Sequence, residues 1–223
     1  MKGYTGSLNP AITAQIDGHS GATLAGSIYA VAESDQMAAA RHLAKERLWI
    51  HADVIVDDLT HRGVDLSLVR TLKDRRLGPL DVHLIAEELD GPLDEVCAAK
   101  VDRVTFPVES CADPTAVAEQ IHRSGAEAWL AVAPQTSLTA VQHVLEAVDG
   151  VLVMLIKPGS SDTADPALLA RVEQLAPVLP AGVDGGVDQT NLAACLRAGA
   201  RYVVSGRALF STTAPAVLPS EGV

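Results

Sequence analysis

Cations are scarce in this 223-residue chain, with 17 Lys and Arg against 28 Asp and Glu and a formal net charge of −11. A nucleic-acid-binding surface neutralises phosphates with clustered Lys and Arg, so no nucleic acid is expected as a partner. Long apolar runs are missing too. The longest, Val151-Leu-Val-Met-Leu-Ile156, falls far short of the ~20 residues that cross a membrane and has the length of a buried strand. No membrane partner is expected. Nor does an apolar stretch follow Lys2 in the manner of a secretion signal. Cysteine occurs three times, at Cys97, Cys111 and Cys195, with no C-x-x-C spacing and one left over from any pairing. Reduced thiols in a cytoplasmic protein are the expectation.

What is present suits a folded domain. Apolar residues make up 48% and charged residues 20%, which excludes intrinsic disorder, and the length allows one large core or two small ones. Short apolar or β-branched runs at 24–30, 48–55, 80–85, 102–106, 127–133, 150–156, 181–184 and 201–205 read as strands. Helical patterns lie between them, at 35–47, 66–72, 89–100, 113–124, 138–147, 166–175 and 189–198. The first of these carries Met37, Ala40, Leu43 and Ala44 on one face.

Such alternation implies βαβ units and a parallel sheet, and eight strands fit a single (β/α)8 TIM barrel. A doubly wound open sheet is the alternative, but it binds nucleotides through a Gly-rich turn after its first strand. Here that turn reads Ala30-Val-Ala-Glu-Ser34, without glycine. Residues 1–22 read as an N-terminal extension with no clear period, and 23–223 as the barrel. The stretch after Phe210, broken by Pro215 and Pro219, supports only a short eighth helix.

A barrel of this kind gathers its active site at the C-terminal strand ends. The second strand ends in His51-Ala-Asp53, the third in Asp81-Val-His83 and the seventh in Asp184-Gly-Gly186. His51 and Asp53 are two apart and share a strand face, as do Asp81 and His83. Imidazoles and carboxylates converging on one barrel mouth suit a divalent metal. Other candidates are weaker. His122 and His143 fall in helical stretches, while His19, His42 and His61 have no partner at useful spacing. Cys195 lies on the seventh helix, and no histidine is placed near it to make a nucleophile. Trp49 and Trp129 read as core.

Six segments stand in order along the chain, each at a strand end: Gly26-Ser-Ile-Tyr29, His51-Ala-Asp-Val54, Leu80-Asp-Val-His-Leu-Ile85, Met154-Leu-Ile-Lys-Pro-Gly159, Val183-Asp-Gly-Gly-Val187 and Val204-Ser-Gly-Arg-Ala-Leu-Phe210. From Ser27 to Phe210 the sequence thereby resembles the ribulose-phosphate 3-epimerase family. The resemblance implies a ribulose-phosphate-binding barrel and a divalent metal held by His51, Asp53, His83 and Asp184. Zinc is the usual ion, with iron, manganese and cobalt as alternatives. It implies that Asp53 and Asp184 move the protons, inverting C3 of a ketose phosphate through a metal-stabilised enediolate. Ribulose 5-phosphate to xylulose 5-phosphate comes first in line, an isomerase step of the pentose phosphate pathway. The resemblance also implies that Ser27 bonds a substrate or metal-bound oxygen, that Met154 lines an apolar wall, and that the protein is a homo-oligomer whose partner is a small sugar phosphate.

The pattern departs from the family in two places. Ile55, Val56 and Ile85 replace the family's methionine, aspartate and methionine, with Asp57 or Asp58 as stand-ins after a local shift. The loop after the sixth strand, Lys157-Pro-Gly-Ser-Ser-Asp-Thr-Ala-Asp165, keeps only Gly159 of the family's phosphate-loop glycines, and Asp162 and Asp165 would repel a dianion. Gly185, Gly186 and Gly206 remain where loops seven and eight form the usual barrel phosphate site. Arg207 reads either as a bidentate phosphate ligand or as a structural ion pair, and Lys157 either as a solvated lysine or as a cation on the substrate. Another ketose or ketose phosphate, such as allulose 6-phosphate, and a retired sugar-phosphate-binding barrel are the alternative functions. A decarboxylase is less well supported, because the second strand lacks an Asp-x-Lys-x-x-Asp array.

Overall fold

A computed structural model of the chain describes residue 4 and residues 6–56, 61–157 and 162–210. Eight parallel strands close on themselves: β1 (Thr23–Ser27), β2 (Trp49–Val56), β4 (Leu80–Ala86), β5 (Arg103–Pro107), β6 (Glu127–Val132), β7 (Gly150–Met154), β8 (Ala181–Asp184) and β9 (Tyr202–Ser205), with β9 pairing back to β1. The structure is a (β/α)8 barrel, and closure rules out the open sheet. A short β3 (His61–Gly63) pairs antiparallel with the end of β2, Val54 opposite Gly63.

Helices α2 (Glu33–Lys45), α3 (Leu66–Asp74), α4 (Asp90–Ala98), α5 (Pro114–Ser124), α6 (Leu138–Val141), α7 (Leu169–Leu175) and α8 (Leu192–Arg197) follow successive barrel strands, and α9 (Arg207–Phe210) follows β9. Local chemistry sets their ends. Asp65 caps α3 by accepting from Ser67 N at 2.7 Å, and Asp113 caps α5 from Ala116 N, with Pro114 in the first turn. Gly125, at φ +92°, ends α5 in the left-handed conformation that glycine alone adopts without cost.

Residues 1–22 hold a helix the sequence pattern did not reveal, α1 (Pro10–Asp17), capped by Asn9, which accepts from Ala11 N at 3.0 Å. Ile12 and Ile16 are buried in the same core as the barrel. Asn9 N donates to Leu209 O, and Gln15 reaches Gln189 O at 3.0 Å. α1 therefore runs down the outside against α8 and β1, where an eighth barrel helix would pack. α9 is the short helix expected after the last strand; the rest of that stretch lies outside the described residues.

Two separate apolar cores result. One fills the space between strands and helices, built on residues such as Leu43, Val69, Ile121 and Val172. The other is small and lies inside the barrel: Ala25, Trp129, Leu152, Met154, Tyr202 and Val204, with Trp49 packed against it. Gly150 makes room for it, since a Cβ there would sit 2.5 Å from the Trp129 ring. Beside it the strands bury polar side chains, Ser27, His51, Asp53, Asp81, His83 and Thr105 among them, and these build the site.

Candidate metal and substrate site

Register brings the inward-facing side chains together. β2 and β4 pair His51 with Asp81 and Asp53 with His83, so two residues on each strand form two stacked levels. Asp184 arrives at the upper level from the end of β8. His51 Nε2 lies 3.3 Å from Asp53 Oδ1 and 3.8 Å from Asp184 Oδ2. His83 Nδ1 lies 3.2 Å from Asp53 Oδ1 and 3.6 Å from Asp184 Oδ2. One donor atom from each of the four residues falls within 4.8 Å of all the others. Metal–ligand bonds of about 2.0–2.1 Å place ligand atoms roughly 3.3 Å apart, so the His–Asp separations of 3.2–3.8 Å are near what a small divalent ion needs, and the set as a whole, within 4.8 Å, would draw inward around it.

Asp81, expected to share the face of His83, has a different task from the four. Its Oδ2 meets His51 Nδ1 and the Tyr202 hydroxyl, both at 2.9 Å, and its Oδ1 accepts from Thr105 Oγ1 at 2.9 Å. All of these groups are buried. A carboxylate that accepts a hydrogen bond from Nδ1–H leaves Nε2, which faces the cluster, to offer a lone pair once the ring is neutral. Below Asp81, the Arg103 guanidinium lies over Trp129, Trp49 and Tyr202, 3.9, 4.3 and 4.4 Å from the ring centroids. Arg103 Nε and Nη2 donate to Glu127 Oε2. The two tryptophans are core, as expected, and they also clamp a cation.

These contacts set the charges in the metal-free protein. Burial resists the Asp81 charge, but His51 and Arg103 outweigh it and hold the carboxyl below the usual carboxylate range. Burial likewise opposes ionised Asp53, and the His51 and His83 rings overcome it, holding that carboxyl far below the usual range. For His83, burial disfavours the charged ring, yet hydrogen bonds to Asp184 and Asp53 raise it to about 9. His51 is also raised well above its ordinary value, against burial, by Asp53 and Asp81. The donor set thus attracts positive charge, as a cation site must.

Above the cluster opens a cavity of about 1110 Å³. Ile55, Ile85, Met154 and Ile156 supply apolar wall, and Ser27, Asp53 and Asp184 the polar floor. Ser27 Oγ donates to Asp53 Oδ2 at 2.6 Å on the floor of this cavity. Gly185, Gly186, Gly206 and Arg207 line the far side with Asp162. Gly185 and Gly186 have φ of +105° and +66°, and a Cβ on Gly186 would lie 2.8 Å from Ala164 N. Lys157 is exposed and not among the lining residues. Gly159, Asp57 and Asp58 lie outside the described residues.

Gln36 also lines the cavity, and nothing in the sequence pattern marked it. Of the face that the helical periodicity marked, Ala40 and Leu43 are buried and Met37 packs half-buried against the core, while Gln36 and Ala39 are buried beside them. Of the remaining histidines, His122 pairs with Asp149 at 2.8 Å on the surface, His42 meets the Tyr4 hydroxyl and His143 is exposed. Burial pushes the Cys195 thiol up to about 11 and the Cys111 thiol to about 12, which leaves no reactive thiolate near neutral pH.

The model of the ribulose-phosphate 3 epimerase family matches residues 23–210. A ribulose-phosphate 3-epimerase of Treponema pallidum (strain Nichols) is 31% identical over 182 residues, covering 76% of this chain and 82% of that protein. One of Schizosaccharomyces pombe is 28% identical over 175 residues, covering 75% and 77%. Among solved structures, a mutant tryptophan synthase alpha-subunit from Pyrococcus furiosus superposes with a TM-score of 0.63 at 15% identity, over 85% of this chain and 89% of the other. At that identity the likeness is one of fold.

Proposed function

Because the chain belongs to the ribulose-phosphate 3-epimerase family, we propose that it inverts C3 of a ketose phosphate, ribulose 5-phosphate to xylulose 5-phosphate. Asp53 and Asp184 are the proton-transfer groups and His51, Asp53, His83 and Asp184 the ligands of a divalent ion, zinc in the first instance. The observation that carries this reading is the approach of four donor atoms to within 4.8 Å at the barrel mouth, two of them carboxylates. A divalent ion there would act as a Lewis acid on the charge that develops on the substrate oxygens.

The residues themselves do the rest. Inverting a carbon beside a ketone requires a base on one side of the plane and an acid on the other. Asp53 comes from β2 and Asp184 from β8, three places apart around the barrel in the order β8-β9-β1-β2, so their carboxylates enter the central space from separate directions. Ser27 holds Asp53 Oδ2 and so fixes the plane of that carboxylate. Met154, Ile55 and Ile85 form a wall that keeps water from the carbon while its proton is off. The glycines of loops seven and eight let backbone approach a distal phosphate.

Proton NMR of ribulose 5-phosphate in D2O tests the proposal, with zinc-loaded protein against a chelator-treated control. Metal-dependent deuterium at C3 and the appearance of xylulose 5-phosphate are the expected results. A protein that holds one metal per chain yet exchanges no proton of this sugar defeats the proposal.

A further inference from the structure

Gln36 is the polar member of an otherwise apolar face. Of the four buried positions of α2, residues 39, 40 and 43 are Ala, Ala and Leu. Gln36 is 3% exposed, and its carboxamide makes no hydrogen bond among the described residues, although it lines the cavity above Asp53 and Asp184. The residue is buried as a whole, yet its amide atoms are not shut off from the cavity, so a hydrogen-bonding group without a protein partner stands at the edge of the space a ligand would enter.

Its place can be fixed from its neighbours. Leu43 packs on β1, where a Cβ on Gly26 would meet its methyls at 2.5 and 2.8 Å and Leu209 at 3.1 Å. Gln36 is seven residues nearer the helix start, about 10 Å closer to the barrel mouth at 1.5 Å per residue. There the β1–α2 connection touches the β9–α9 turn, since a Cβ on Gly206 would lie 3.1 Å from Ala30. Ala32 and Glu33, at the start of α2, line the same corner, and no side chain caps that helix end. A helix start presents free N–H groups and the positive end of its dipole.

We propose that Gln36 and the first turn of α2 form a subsite for the terminal phosphate of the ketose phosphate, with the Gln36 amide donating to a phosphate oxygen. The proposal rests on the epimerase reading and adds a specificity-determining residue to the glycines of loops seven and eight. Neighbouring acids leave room for it. Asp188 Oδ1 is occupied by Thr190 N, Thr190 Oγ1 and Asn191 N, Asp35 in the first turn of α2 accepts from Tyr4 N at 3.0 Å, and Glu33 and Asp162 are exposed at the rim, where water and salt screen them.

The test compares wild type with Gln36→Leu and Gln36→Glu in the metal-loaded protein. Both variants should raise the KM for ribulose 5-phosphate and the inhibition constant of inorganic phosphate together, roughly tenfold or more, with Glu the worse. Gln36→Leu preserves the apolar packing of this face of α2 and should melt close to wild type, which separates a loss of phosphate binding from a loss of fold. An unchanged affinity for inorganic phosphate in Gln36→Leu overturns the subsite, even if KM rises. Calorimetric titration with inorganic phosphate needs no turnover. A wild type that binds phosphate, loses it in both variants and leaves ribulose 5-phosphate untouched therefore keeps the subsite and defeats the epimerase reading instead.

Discussion

The Tyr202 hydroxyl donates to Asp81 Oδ2 at 2.9 Å across 121 residues of chain. The same carboxylate accepts from Thr105 and holds the His51 ring, so strands β9, β5 and β2 all converge on one buried group. Beneath it Arg103 adds a positive charge fixed by three rings.

Asp81→Asn is expected to weaken zinc binding roughly 10–100-fold, the usual effect of removing the group that orients a metal-binding histidine. The amide turns an N–H toward groups that now donate, at a cost of about 1–3 kcal/mol. Competition with a chromophoric chelator measures the first effect and urea unfolding the second. Wild-type zinc affinity in the variant means that His51 keeps its orientation without Asp81.

The pH dependence of stability has a definite sign. In the metal-free protein His83 is raised from its ordinary 6.5 to about 9, so its contribution is fully present below pH 6.5 and is lost as pH climbs through 9. Binding of a divalent ion such as zinc would run the other way, because both imidazoles must shed protons to act as ligands. Melting temperatures between pH 6 and 9.5 should fall in chelator, while the increment from added zinc grows. An increment that shrinks with rising pH contradicts the ligand assignment.

Asp53→Asn and Asp184→Asn should each slow deuterium incorporation at C3 by about 10²–10⁴-fold, the typical contribution of a positioned acid or base. Single-turnover exchange followed by NMR separates this from metal loss, provided the zinc content of each variant is measured alongside. Exchange at the wild-type rate in a zinc-replete Asp184→Asn protein removes Asp184 from the proposal.

Gly63 lies beside the site and has φ +94°, and a Cβ there would fall 2.3 Å from the Asp53 carbonyl oxygen. Gly63→Ala should therefore destabilise the protein by about 1–3 kcal/mol and disturb the end of β2. Gly91, on α4, has open space around its Cβ position apart from its chain neighbours, and the following Pro92 offsets the helix-propensity gain of alanine, so Gly91→Ala should stay within about 1 kcal/mol of wild type. Chemical denaturation of the pair distinguishes a local clash from a general intolerance of alanine.

Much of the site was legible because strands have a period of two. His51 with Asp53, and Asp81 with His83, had to share faces whatever the partners of β2 and β4. Telling Asp53 from Asp81 was a matter of register, since His51 pairs with Asp81 and only the next level faces the mouth. The helix at 10–17 escaped notice because it is short and contributes only Ile12 and Ile16 to the core. Its signal was the Asn9-Pro10 start.

The sequence by itself determined the alternation of strand and helix, the barrel, and which strand ends carry imidazole and carboxylate. Those follow from local periodicity and chain order. Tertiary structure alone decided that Tyr202 and Thr105 grip Asp81, that three rings clamp Arg103, and that α2 buries Gln36 more deeply than Met37. Each depends on the rotation of an element about its own axis or on contacts between distant strands. Such contacts are set by how the closed barrel packs, and no local pattern encodes them.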